Sequence, residues 1–218
     1  AMLIMTSTEP ISTEMPKKKR PGFETEMRTA KERILQTSVR LLHRQGFHNT
    51  SVDQIISEAM VSKGNFFHHF KNKEELGYAV IESIRTELAK DLANLLSNRN
   101  NPPLKRLFLD LEQALSDEGR LRKGCPLGKL ALELSDIHEG FRKKISEIFD
   151  MWTGAVERVL EEAKLLGDLK QDVNCHSLAL FWVANTQGAM LLAKSHANAA
   201  AIRSQIEHLT GYLKGLKP

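Results

Sequence analysis

The stretch SVDQIISEAMVSKGNFFHHFKNKEEL, residues 51–76, decides how this chain is read. Val52, Ile55, Ile56 and Ala59 recur at the i, i+3, i+4, i+7 spacing of one helical face. Ser51 stands just ahead of that face and Gln54 follows at capping-box distance. Ser62 then caps a second short helix through Phe70, and Asn72 with Glu75 opens a longer one reaching about Leu96. Two short helices joined by a tight turn are the skeleton of a helix-turn-helix. That motif needs small or polar residues at the start of its second helix, where they approach base edges in the major groove. Lys63, Gly64 and Asn65 meet the need. Lysine donates to guanine, asparagine pairs with adenine through two bonds, and glycine lets the backbone come close. His68 sits about one turn further along.

Helical periodicity continues on both sides of this stretch. Upstream, a first helix is expected over about Glu24 to Gln45, with Ile34, Leu35, Val39 and Leu42 inward and Gly46 ending it. Residues 1–22 are polar and broken by Pro10, Pro16 and Pro21, the composition of a flexible basic tail. Its Lys17–Arg20 run suits either a minor-groove arm or a solubilising segment. Downstream, Pro102 and Pro103 open a fifth helix and Pro126 a sixth, to Ser135. A seventh carries Phe141, Ile145, Ile148, Trp152, Ala155 and Val159 on one side until Gly167. Asn174 caps an eighth, apolar on nearly all sides to Ala193, and a ninth shows Ile202, Ile206, Leu209 and Leu213. The expected fold is all-α with about nine helices. It divides into the tail, a helix-turn-helix domain over 23–73, and a larger helical domain for ligand binding and dimerisation over 74–218.

Charge is unevenly spread. Residues 1–73 hold 12 Lys/Arg against 7 Asp/Glu, whereas the rest hold 19 against 20. A basic third on a neutral body suits a polyanion gripped by one end of the molecule. Two cysteines, Cys125 and Cys175, make no disulfide framework and point to free thiols in a reducing cytoplasm. The most apolar run, Leu178 to Ala193, is too short for a membrane span and is interrupted by Asn185, Thr186 and Gln187. No metal-ligand spacing or cofactor motif stands out. His68 and His69, adjacent on a helix, point about 100° apart and make a poor metal pair. These features exclude a membrane protein and a disulfide scaffold, and imply a soluble cytoplasmic one.

Residues 51–76, with the preceding Arg33-Ile34-Leu35, Leu41-Leu42 and Gly46-Phe47, resemble the DNA-binding domain of TetR-family regulators, in register from Arg33 to Leu76. The resemblance implies that Lys63, Gly64, Asn65, Phe67 and His68 face the groove. It likewise implies that Thr50, Ser62, His69 and Lys73 hold phosphates. The chain departs from the pattern at Phe67, where tyrosine is usual, and at Met60, where glycine is usual. The resemblance also implies a homodimer on palindromic double-stranded operator DNA, released by a small-molecule effector, and a repressor rather than an enzyme.

Inward-facing aromatic and polar residues supply the expected effector contacts: Phe108, Phe141, Trp152, Phe181, Trp182, Asn185, Gln187 and Met190. None is charged, so a small, mostly apolar or weakly polar ligand is expected. Cys125 joins them for a separate reason. It precedes Pro126 at a helix start and follows Arg122 and Lys123, surroundings that favour a reactive thiolate. The run Gly124–Leu130 and the Leu191–Lys194 end of the eighth helix are similar to a branch of the family answering to electrophiles or small unsaturated acids. For an acid, Lys194 is a candidate counter-charge. An enzyme with Cys125 as nucleophile and His138 as base is the alternative from another class.

Overall fold

In the computed structural model, residues 29–198 and 200–218 are described, and ten α-helices connect them without a strand. The basic tail and the Lys17–Arg20 run lie outside the described residues. The first helix, α1, spans Ala30–Gln45 and starts later than the expected Glu24, because Thr29 caps it in extended backbone. The Thr29 hydroxyl accepts the Glu32 N–H, and the Glu32 carboxylate accepts the Thr29 N–H in return. Then follow α2 (Val52–Ala59), α3 (Lys63–His69) and α4 (Lys73–Ser97), capped by Ser51, Ser62 and Asn72 as their spacing predicts. The Ser51 capping box is only half made. Ser51 accepts the Gln54 N–H, but the Gln54 side chain turns to Gln45 and Glu58 instead.

The remaining helices are α5 (Pro103–Ser116), α6 (Glu118–Lys123), α7 (Pro126–Leu134), α8 (Glu139–Leu165), α9 (Cys175–His196) and α10 (Ala200–Gly215). The expected nine helices therefore become ten among the described residues. The addition is α6, a six-residue piece too short to show a 3.6-residue apolar period.

Beside a small cluster of Leu121, Ala189, Ala193 and Ile202, two larger apolar cores organise the molecule. One joins Ile34, Leu41, Ile55, Phe66 and Leu76 of α1–α4 to Leu130 of α7 and Phe141 and Ile145 of α8. The other packs the C-terminal halves of α4 and α8 against α5, α9 and α10 around Leu107, Val159, Trp182 and Leu213. α4 and α8 run through both cores. The packing is close at Gly77 of α4, where a Cβ would stand 2.8 Å from both Phe47 and Phe141.

Candidate nucleic-acid interface

α3 begins its exposed face at its capped end. The Ser62 hydroxyl accepts the Asn65 N–H at 3.1 Å, and Phe66 and Phe70 anchor the helix in the core. Lys63, Gly64, Asn65 and His68 are exposed on the other side, and Phe67 is 45% exposed with its ring edge-on to Phe66. The alternation follows from one helical turn carrying two inward phenylalanines. α2 supports α3 from behind, and Arg40 of α1 fixes α2 through Glu58 at 2.6 Å. That guanidinium and the Gln54 amide hold the Glu58 carboxyl below the usual carboxylate range.

The residues expected to hold phosphates divide. Ser62 is exposed and His69 half-buried beside α3. Thr50 is wholly buried, and its hydroxyl donates to Gly46 O at 2.6 Å. It shapes the α1–α2 turn and presents no surface hydroxyl, which corrects the expectation. Lys73 is half-buried, with its ammonium 4.5 Å from the centre of the Phe47 ring and donating to His48 O. Burial pushes its pKa down and the Glu133 carboxylate offsets part of that.

Contacts that the sequence reading missed tie α7 to this region. Gly46 takes φ +93, and the carboxylate of Glu133 fits against the position its Cβ would occupy. The two Glu133 oxygens accept the N–H groups of Phe47 and His48 at 2.8 and 2.7 Å. Lys129 donates to Arg44 O at the C-terminal end of α1, and the His43 ring meets Gly124 O at 2.8 Å. Burial is the main cause that lowers the His43 pKa, with Lys194 and Lys129 adding to it. Only Gly46 gave a signal in the sequence; Glu133 looks like any exposed helical acid.

These links border a cavity of about 770 Å³ walled by Gln45 and Asn49 at the α1–α2 turn, Cys125 and Lys129 at α7, and Gln187 and Lys194 on α9. Cys125 caps α7, its Sγ accepting the Gly128 N–H at 3.4 Å. The amide nitrogen of Gln187 is buried without a hydrogen-bond partner. Of the other expected effector contacts, Trp152, Trp182 and Met190 line a separate cavity of about 240 Å³ beside Arg106, and Asn185 borders a crevice of about 30 Å³. Phe108 packs in the second core near Trp182, and Phe141 is buried in the first against Phe47 and Tyr78. Phe181 points outward against Tyr212. The expected set therefore does not converge on one pocket. His138 lies at the far end of α7 from Cys125, with Nδ1 accepting the Phe141 N–H and Nε2 on Glu74. Both ring nitrogens are engaged, so the pair forms no nucleophile and base.

No described helix is long and apolar enough to cross a membrane. A family model described as "Bacterial regulatory proteins, tetR family" matches residues 34–80, and "Tetracyclin repressor-like, C-terminal domain" matches 103–209. The chain is 30% identical over 193 residues to the transcriptional regulator AcuR of Cereibacter sphaeroides, covering 87% of this chain and 88% of that protein. It is 26% identical over 171 residues to the transcriptional repressor DhaR of a Mycobacterium species, covering 77% and 84%. A crystal structure of a regulatory protein TetR from Rhodobacter sphaeroides superposes with a TM-score of 0.78 at 28% identity, covering 84% of this chain and 98% of that one.

Proposed function

Because the chain belongs to the TetR family of bacterial transcriptional regulators, we propose that it represses by binding a palindromic operator as a twofold dimer and leaves when a small molecule fills the cavity beside Cys125. The observation that carries this reading is the composition of that cavity's wall. Gln45 and Asn49 at the base of the reading head share it with residues of α7 and α9. A ligand held there touches the DNA-binding side and the body of the protein together, so its binding energy can act on the angle between them.

On the operator, Lys63, Gly64, Asn65, Phe67 and His68 read the groove, and Ser62, His69 and Lys73 meet phosphates. The effector is small and mostly apolar, with an electrophilic or acidic group: the apolar part of the wall is interrupted by Cys125, by Lys129 and Lys194 against the single carboxylate of Glu133, and by the amides of Gln45, Asn49 and Gln187. A thiol-sensing mode is supported by the position of Cys125 on this wall, next to the Lys194 stem that packs on Gly124.

Selection from random duplexes, followed by a release screen, tests the reading. A palindrome bound far above random duplex at physiological salt is expected, and equal binding of both overturns it. For the thiol mode, a thiol-reactive compound should release wild type but not Cys125→Ser; equal release leaves noncovalent effectors alone.

A further inference from the structure

α9 buries one side, with Cys175, Trp182, Ala189 and Ala193 in the cores, yet its other side is also apolar and faces solvent. That outer stripe is symmetric about position 186. Leu180 and Leu192 are equidistant from it, as are Phe181 and Leu191, and all four are 42–56% exposed. Closer in stand the small pair Ala184 and Gly188, and a Cβ at Gly188 would meet open space. Ser177 and Ser195, both exposed, close the two ends.

A twofold axis puts an antiparallel copy of a helix across from itself, with residues equidistant from the axis opposed. Bulk at both ends and small residues in the middle let two such helices cross closely. Crossing at position 186 sets Ala184 against Gly188 and Phe181 against Leu191. Gly188 and Leu191 are also wall residues of the 770 Å³ cavity. In its own protomer Phe181 lies outside that cavity, against Tyr212 at 5.3 Å.

We propose that the effector cavity is shared between two copies of this chain, with Phe181 of the partner subunit closing its mouth over Leu191 and Gly188. The inference rests on the dimeric reading above and adds the register of the crossing and the residue that crosses. It gives the effector an aromatic lid from the second subunit, so that filling the cavity bears on the crossing of the two α9 helices as well as on the reading head.

Cysteine cross-linking reads the register. In a Cys125→Ser background, Phe181→Cys and Leu191→Cys variants are co-expressed and oxidised, and each is also oxidised alone. Cys175 is buried, with its thiol pKa pushed up to about 11, and stays out of the reaction. A covalent dimer is expected from the co-expressed pair and not from either variant alone. In this register, like positions lie roughly 15 Å apart along the axis, ten residues at 1.5 Å each, beyond the ~7 Å Cα limit of a disulfide. Self-linking of either variant, or no link from the pair, overturns the register. A second readout is the rate at which a fluorescent maleimide labels Cys125 in otherwise native protein. Phe181→Ala should speed labelling several-fold while sedimentation still shows a dimer, and Phe181→Leu should restore most of the protection. An unchanged rate in a dimeric Phe181→Ala overturns the lid. A wild-type monomer in sedimentation removes the dimeric reading itself. Neither readout uses an effector or an operator, so this proposal and effector-driven release fail separately.

Discussion

Lys63 and Lys73 carry the same charge but stand in different surroundings. Lys63 is free on the exposed face of α3, whereas Lys73 is half-buried over Phe47 and bonded to His48 O. Lys63→Ala, like Asn65→Ala, should relax the choice of operator sequence, because in the proposed function each side chain donates to a base edge. Lys73→Ala should weaken all duplexes alike and reduce the salt slope by about 1. Competition of operator against random duplex over a salt series separates the outcomes, and equal sequence preference in all three variants would sink the assignment. His43 makes a different prediction. Its folded pKa lies below 6.5, so between the folded and unfolded values the unfolded chain binds more protons. The stability tied to the neutral ring is therefore present above pH 6.5 and lost as pH falls through the folded pKa. Urea unfolding of His43→Gln should show a shallower loss on acidification than wild type, and parallel losses would count against the His43 contact.

At the scale of elements, short helices depend on how they end. Met60 closes α2 in the left-handed region, φ 52, and is 70% exposed. A side chain there costs about 1 kcal/mol relative to glycine. Met60→Gly should raise stability by roughly that amount without weakening operator binding, and an unchanged melting temperature would contradict the strain. Gly77 sits mid-helix in α4, where glycine is intrinsically unfavourable. It is explained by packing alone, since Phe47 and Phe141 leave no room for a methyl group. Gly77→Ala should cost about 1–3 kcal/mol through overpacking, measured by denaturant unfolding. The two positions also mark what the sequence discloses at this scale. Caps such as Ser62 and Asn72 act within four residues and are legible from spacing. The need for glycine at position 77 comes from aromatic residues far away in the chain.

Across the whole molecule, the reading head and the body share one apolar core through α4, α7 and α8. Phe141, fully inside that core, should cost ~3–5 kcal/mol when truncated to alanine. Both regions should then melt together, checked by following operator affinity and helix content through one denaturant series; two separated transitions would refute the shared core. The sequence by itself determined the helical class, the caps, the exposed polar start of α3 and the family. Each rests on local spacing, where neighbours along the chain are neighbours in space. Only the tertiary structure decided the rest: that Thr50 is internal, that Glu133 holds the α1–α2 turn by two backbone N–H groups, and that the expected effector contacts split among separate cavities. Those facts depend on helices far apart in sequence meeting at particular angles, and a periodic apolar stripe states that a face is buried without stating against what.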